Sequence, residues 1–357
     1  FDLGLGITWV PDWFGAQRSA LAAADASWQS SQATARSTEI ALGASLSLSY
    51  ISLRSAQARL ALAQANLASQ QETMQITDWR RQAGLVTDLE AAQARSAAAQ
   101  TESLLPALQT QIDQSSHALA TASGDAPDHW LSALAPMARL PDNASTAPTS
   151  VAVDTLRQRP DVQATEALFR AARATLDQTE AERLPSLSLS ATLGLSAIRL
   201  GSLLHNAALL SKALLGLSVP LLDGGAGAAR VAAQQAVVAQ ARNAWISSVL
   251  TALREVDDAL VAQRNDQLAL AALVQAATAA AEADRLAGLR YRSGLVDFQT
   301  VLDTQRSRLS TEDGVALARA TLQADRIRLV QALGGGWTTD LPDLPDPVWA
   351  HLDAATD

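Results

Sequence analysis

Two long stretches without proline constrain the fold of this chain more than any other feature. The first runs from about Ala16 to Arg81 and contains one glycine, Gly43, and the second runs from about Ala226 to Arg292. Alanine, the strongest helix former, is abundant in both, and larger apolar residues recur at near-heptad spacing. Each stretch predicts a helix about 100 Å long. Such a rod needs partner helices along its whole length.

A similar phrase with the core Gly-Leu-Val ends each rod, at residues 81–88 and at residues 292–297. After each phrase a helical pattern resumes, from about Leu89 to Ser123 and from about Thr300 to Leu333. Because a glycine after the last helical residue lets the chain reverse, the sequence predicts two helical hairpins. The predicted hairpins are residues 16–123, with the tip near 84–88, and residues 226–333, with the tip near 294–298.

Three short segments, residues 1–10, 186–196 and 215–221, alternate apolar residues with small or polar ones. Alternation with a period of two predicts β-strands with one apolar face. The pattern alone fits either a barrel wall that faces lipid or a half-buried sheet of a soluble protein. The predicted elements are a strand at residues 1–10 and a strand pair at 185–222 with a loop at 198–211.

The order of strand, turn, long helix and glycine tip occurs twice, with an offset of about 210 residues, which indicates an internal duplication. Gly84 matches Gly294, and Gly4 matches Gly216. The segments outside this repeat predict irregular structure or a short helix. They are an irregular segment at 124–160, a helix at 160–184 and a C-terminal tail at 334–357.

The composition excludes several classes of function. A net charge of -9 and a pI near 5.0 argue against nucleic-acid binding, which needs clustered Lys and Arg. The absence of cysteine excludes thiolate metal sites, and the four histidines lack metal-ligand spacing. The glycine-rich stretch 223–230 predicts a strand-to-helix turn rather than a dinucleotide site. We therefore expect no enzyme activity, no cofactor and no resident metal.

Several phrases, in order along nearly the whole chain, resemble the outer-membrane factors of tripartite efflux systems. These are the TolC-like proteins, and the resemblance is strongest to their drug-efflux lipoprotein branch. The phrases that carry the resemblance are Leu156-Arg157-Gln158-Arg159-Pro160-Asp161-Val162, Leu184-Pro185-Ser186-Leu187, Tyr291-Arg292-Ser293-Gly294-Leu295-Val296-Asp297-Phe298, Val301-Leu302-Asp303-Thr304-Gln305-Arg306 and Ala332-Leu333-Gly334-Gly335-Gly336-Trp337.

The resemblance implies a mainly α-helical homotrimer in the outer membrane. Each protomer of such a trimer gives long helices to a periplasmic α-barrel and four strands to a shared twelve-stranded β-barrel in outer-membrane lipid. Only three strands are predicted here, so we expect the first helix, the first strand and a lipid-bearing N-terminus to precede Phe1. The implied partners are a periplasmic adaptor protein and an inner-membrane pump.

The resemblance also gives the hairpin tips a role as the surface on which the adaptor docks. The alternative interpretation is that these tips are ordinary helix C-cap turns whose apolar residues pack locally. The candidate docking residues are Gly84, Leu85, Val86 and Thr87 at the first tip, and Gly294, Leu295, Val296 and Asp297 at the second.

A candidate periplasmic gate follows the second tip at Asp303, Arg306 and Thr300. Asp303 and Arg306 lie three residues apart and could form an ordinary intrahelical ion pair. The resemblance implies instead that three copies of Asp303 constrict the entrance around the trimer axis. Some relatives carry a second acid where this chain has Thr300, so we expect a less negative constriction here.

The sequence thus predicts a passive exit duct for drugs or other small exported compounds, gated at the helical tips. An exit duct for type I protein secretion would have the same architecture. A rival of another class is an alanine-rich coiled-coil scaffold without a pore. The alternating strands argue against that scaffold, because a spacer rod does not need them.

Overall fold

The computed structural model describes residues 2–138, 140, 157–196 and 208–335, and these residues are mainly helical. Parts of the predicted loop 198–211, of the irregular segment 124–160 and of the tail 334–357 lie outside the described residues. The described elements, in chain order, are β1 (Asp2–Trp9), α1 (Ala16–Gln82), α2 (Asp88–Glu102), α3 (Leu104–Ala122), α4 (Leu131–Leu134), α5 (Pro160–Ala181), β2 (Ser186–Ser196), β3 (Ala208–Ser218), α6 (Ala226–Arg292) and α7 (Phe298–Ala332).

The chain divides into two compact units. One consists of residues 1–37 and 157–252, and the other consists of residues 38–156 and 253–357. The first unit holds the three strands and α5, and the second holds both hairpin tips. The long helices α1 and α6 contribute residues to both units, so the units do not coincide with the predicted hairpins.

The first unit contains an antiparallel sheet with the strand order β1-β2-β3. Its register places Leu5 opposite Leu193, and Leu189 opposite Leu215. Because opposed residues in antiparallel strands share a face, the leucines line one face of the sheet. Side chains on this face are exposed, with 73% of Leu5 accessible to solvent in the single chain. The other face carries glycine, serine and threonine at most positions of β1 and β2.

Strand β3 departs from the predicted bounds at both of its ends. It begins at Ala208, inside the predicted loop 198–211, because residues 208–211 pair with residues 193–196 of β2. That pairing satisfies backbone N–H and C=O groups of residues 208–211, although Leu209 and Leu210 break the alternation of apolar with small or polar residues. The strand ends at Ser218, before Pro220, which has no N–H to donate to a sheet.

Aspartates cap both long helices where the chain leaves the sheet. The Asp12 carboxylate accepts hydrogen bonds from the backbone N–H of Arg18 at 2.9 Å and of Gln17 at 3.1 Å. Asp223 accepts in the same way from Gly227 and Gly225, which confirms the predicted strand-to-helix turn. Backbone donation holds the pKa of both carboxyls below the usual range, so both caps stay charged.

The predicted single helix from Leu89 to Ser123 is wrong at one point, because Ser103 separates α2 from α3. Pro106 has no N–H, so the carbonyl of Glu102, four residues earlier, lacks its helical hydrogen-bond donor. Pro106 is tolerated in the first turn of the new helix, and the Ser103 hydroxyl donates to the Gln100 carbonyl at 2.7 Å. Among the described residues, no helix is long and apolar enough to cross a membrane.

A buried clasp ties the segment after α3 to α1 in the second unit. The Arg54 guanidinium is almost fully buried and donates to the carbonyls of Leu134 at 3.2 Å and Pro136 at 2.7 Å. Gln57 donates to the Leu134 carbonyl as well, at 2.8 Å. Next to the clasp, Leu53 packs in a small apolar cluster with Ile112. These contacts fix the start of the irregular segment against the rod.

A buried acid lies on α7 in the same unit. Asp325 is 2% exposed, and one of its carboxylate oxygens has no hydrogen-bond partner among the described residues. Burial, followed by the neighbouring carboxyl of Asp266, raises the pKa of Asp325 to about 6, although Arg328 bonds it at 2.9 Å. The ordinary value is 3.8. Between pH 3.8 and about pH 6, Asp325 therefore binds a proton in the folded chain that it releases in the unfolded chain.

This raised pKa predicts that stability falls as the pH rises. The stabilisation from the bound proton is complete below the ordinary value of 3.8 and is lost as the pH passes through about 6. Asp325→Asn resembles the protonated acid, so we expect it to raise the melting temperature at pH 8 and to change it little at pH 4. Thermal denaturation at both pH values measures this. Asp258→Asn, at an exposed site on α6, is the control, and parallel profiles for Asp325→Asn and wild type would contradict the prediction.

Candidate functional site

Each hairpin tip is built around a glycine in the left-handed region, with φ of +75° at Gly84 and +72° at Gly294. At the first tip, Leu85 N–H donates to the Arg80 carbonyl at 2.8 Å and Gly84 N–H donates to the Arg81 carbonyl at 2.9 Å. The same two bonds recur at the second tip, 2.9 Å and 3.0 Å long. This pair of bonds is the Schellman motif, which closes a helix before the chain reverses.

The apolar residues of the tips differ in exposure. Leu85 is 72% exposed and Leu295 is 74% exposed in the single chain. Val86 and Val296 are only half-buried rather than exposed as predicted, and Val296 packs against an apolar cluster around Phe298. The two leucines are therefore available to a partner, whereas Val296 serves mainly local packing.

The residues that begin the return helices act as caps. The backbone N–H of Thr87 donates a hydrogen bond to the Glu90 carboxylate at 3.3 Å. At the second tip the Asp297 carboxylate accepts from both the backbone N–H and the hydroxyl of Thr300. The Thr300 hydroxyl, followed by its N–H, lowers the pKa of Asp297, so this cap is charged at neutral pH.

The candidate gate residues lie on one exposed face of α7. The closest approach of Arg306 to the Asp303 carboxylate is 3.9 Å, with both side chains more than half exposed. Asp303 accepts a shorter hydrogen bond, 2.9 Å, from Gln299. The ion pair is therefore weak. The hydroxyl of Thr300 is directed to Asp297, which ties this third predicted gate residue to the helix cap.

Arg80 and Tyr291 connect the two tips, and neither residue was assigned a role from the sequence. The Arg80 guanidinium lies 4.7 Å from the centre of the Tyr291 ring and donates to the Tyr291 carbonyl at 3.4 Å. Tyr291 and Phe298 pack with ring centres 5.5 Å apart. They belong to a buried cluster completed by Ala94, Ala97, Ala287, Val301 and Leu302. The aromatic residues that flank Gly294 were the sequence signal for this buried cluster.

A cleft of about 540 Å³ lies between α1, the α2–α3 pair and α7. Arg306 is on its lining. In the wall, Arg59 bonds both carboxylate oxygens of Asp313, at 2.6 Å and 3.1 Å. This bidentate pair is half-buried and joins the first hairpin to the second.

Paired helical tips and a sheet with an exposed leucine face define the class of outer-membrane channels that have a helical periplasmic part. A profile of the outer membrane efflux protein family matches residues 1–125 and 151–335. The chain therefore belongs to the outer membrane efflux protein family. It is the outer-membrane exit channel of a tripartite efflux system, and its function is transport.

Individual relatives agree with this family. The chain is 31% identical over 345 residues to the pyoverdine export outer membrane protein OpmQ of Pseudomonas putida strain KT2440, covering 96% of this chain and 72% of that protein. It is 32% identical over 344 residues to the outer membrane protein OprJ of Pseudomonas aeruginosa, covering 94% and 70%. The solved structure of the outer-membrane channel OprN superimposes with a TM-score of 0.89 at 32% identity, covering 94% of this chain and 75% of that one.

The left-handed glycines make a direct test of the tip geometry possible. Gly294→Ala places a side chain at a φ of +72°, so we expect it to destabilise the second hairpin by about 1 kcal/mol. Gly288→Ala, inside the helix that ends before Gly294, meets open space at an ordinary φ and should stabilise that helix by about 1 kcal/mol instead. Limited proteolysis at the tip measures both changes. Equal cleavage rates for the two variants would contradict this account.

Proposed function

We propose that this chain forms a homotrimer whose strands build a shared twelve-stranded β-barrel in the outer membrane. The observation that carries this proposal is the exposed leucine face of the sheet, on which Leu5, Leu193 and Leu215 are 73%, 58% and 69% exposed in the single chain. In a barrel wall this face contacts lipid, and the glycine, serine and threonine face lines a wet lumen. Among the described strands, β1 and β3 each pair on one side only, which leaves two edges for further strands.

The hairpin tips supply the surface for a periplasmic adaptor protein. The exposed Leu85 and Leu295 project beside turns that are closed by their own hydrogen bonds. A rigid turn that presents one large apolar side chain binds a partner without a large ordering cost. The adaptor in turn connects the channel to an inner-membrane pump, which provides the energy.

Asp303 and Arg306 narrow the periplasmic entrance in this proposal. A three-fold axis brings three copies of each side chain around the same opening. Since the ion pair inside each protomer is long and exposed, both charges are free to face the opening. Thr300 is neutral and serves the cap of α7, so the ring has one acid in each protomer at this level.

The cargo is a drug or another small exported compound. Two relatives are named for pyoverdine export and for antibiotic efflux. The wet face of the sheet carries mainly small side chains on β1 and β2, with Lys212 and Leu214 on β3, which suits passive conduction of varied solutes. The channel therefore leaves the choice of cargo to the pump.

The gate can be tested by single-channel conductance of the purified trimer in a planar bilayer. We expect a small closed-state conductance that rises several-fold when Asp303→Ala and Arg306→Ala are combined, because the charged constriction is removed. Arg254→Ala with Asp258→Ala removes another exposed pair of the same composition and should leave conductance unchanged. Absence of any conductance from folded trimer would argue against the channel, and an unchanged double mutant would argue against this gate.

Adaptor docking can be tested by introducing charge at the tips. Leu85→Asp combined with Leu295→Asp should abolish most drug resistance in cells that depend on this channel, because a carboxylate replaces the apolar contact. Leu21→Asp changes a leucine of similar exposure, 71%, in the other unit and should keep resistance. Drug susceptibility and the amount of trimer in outer-membrane fractions are measured together. Full resistance with the tip variant would rule out these leucines as the docking surface.

A further inference from the structure

The cleft between α1, the α2–α3 pair and α7 is large enough to hold a small organic molecule. Its volume of about 540 Å³ falls within the range of about 300–1,000 Å³ that is usual for ligand pockets. Arg59, Ala63 and Gln70 line it from α1, and Arg306 and Asp313 line it from α7. The spacings of four and seven residues place each set on one face of its helix.

The apolar part of the lining lies around the break in the return limb of the first hairpin. Thr101 and Leu104 stand on either side of Ser103, and both border the cleft. Leu108 on α3 and Leu309 on α7 extend the apolar surface. Leu104 is 46% exposed in the single chain, so a molecule in the cleft has apolar surface to cover.

The charged part of the lining has an excess of one positive charge. It consists of the guanidinium groups of Arg59 and Arg306 and the carboxylate of Asp313. Asp313 is taken up by the bidentate pair with Arg59. Arg306 has only the long contact of 3.9 Å with Asp303, and its side chain is 53% exposed. The cleft is therefore a positively charged site in a chain whose net charge is -9, and it favours an anion.

A buried hydrogen-bond acceptor lies on the same lining. Gln70 is 5% exposed, and its carbonyl oxygen has no hydrogen-bond partner among the described residues. A buried acceptor without a partner costs free energy, and the soft terminal torsion of glutamine lets the amide turn toward the cleft. Gln305 bonds Thr73 at 3.3 Å, and this contact lies within one helical turn of both Gln70 and Arg306. The acceptor and the positive charge are therefore close to the same level of the cleft.

We propose that this cleft binds a small amphipathic organic anion. The anionic group of the ligand pairs with Arg306, and an N–H or O–H group donates to the Gln70 carbonyl oxygen. The apolar body covers Leu104 and the neighbouring leucines. A ligand in this position contacts both hairpins and stabilises their contact. The site lies within a single chain, so it does not depend on the proposed channel activity.

A fluorescence titration with dansylglycine tests the proposal. This probe has a carboxylate, a sulfonamide N–H and an apolar naphthalene ring, which are the three features that the lining selects. The full-length protein is purified in lipid nanodiscs, and empty nanodiscs are measured beside it to subtract binding to lipid. We expect saturable binding of one molecule per chain. Dansylamide, which lacks the carboxylate, should bind about tenfold more weakly.

Substitutions at the two polar contacts separate their roles. Arg306→Gln should weaken dansylglycine binding by about tenfold and leave dansylamide binding unchanged, because only the contact with the carboxylate is lost. Gln70→Met keeps the side-chain length and should weaken both probes by about fivefold, because both donate an N–H. Arg254→Gln removes an exposed arginine outside the cleft and should change neither.

Cysteine protection locates the bound probe, because the chain has no cysteine of its own. Ala107 is exposed on the lining of the cleft, and Ala92 is exposed on α2 away from it. Dansylglycine should slow the reaction of Ala107→Cys with a maleimide several-fold, and it should not slow that of Ala92→Cys.

Three results would overturn the proposal. Absence of saturable binding, as when a neighbouring copy fills the cleft, overturns the site. Binding that neither substitution weakens, or that leaves Ala107→Cys unprotected, shows that the probe lies elsewhere. Equal affinity for the two probes overturns the preference for an anion. Each of these results leaves the channel proposal intact, since conductance tests that proposal separately.

Discussion

Close packing of alanine between long helices is the interaction on which the rest of this structure depends. A helix of 67 residues cannot bury its own surface, and α1 and α6 both have this length. Among the described residues, more than half of the buried apolar side chains are alanines, and their small size lets helix backbones approach closely. Each contact contributes little, so stability is spread along the rods. Larger side chains such as Leu53 and Phe298 are buried at a few points.

The sequence was sufficient to predict the rods, because a run without proline and rich in alanine has few alternatives to helix. The ends of α1 and α6 lie within one residue of the predicted bounds. The start of β3 could not be predicted, since Leu209 and Leu210 break the alternation and only pairing with β2 defines the strand. The break at Ser103 was missed because a proline in a first turn is compatible with helix on either side.

The residues of the candidate site could be predicted only where the local backbone conformation determines the residue type. Gly84 and Gly294 could be predicted because a left-handed turn after a helix favours glycine. The contact between Arg80 and Tyr291 joins residues that are 211 positions apart, and no local pattern reports it. The duplicated tips keep one backbone geometry and carry different side chains, with the pair Arg81 and Asp88 standing where the second tip has Tyr291 and Phe298.

The interruption at Ser103 gives the two hairpins different mechanical properties. The return limb of the second hairpin, α7, is one continuous helix of 35 residues, whereas that of the first is divided into helices of 15 and 19 residues. Bending a continuous helix strains hydrogen bonds along its length, but a divided limb concentrates the bend where a hydrogen bond is already missing. The return limb of the first hairpin therefore bends more easily than that of the second, and its bending is concentrated at Ser103.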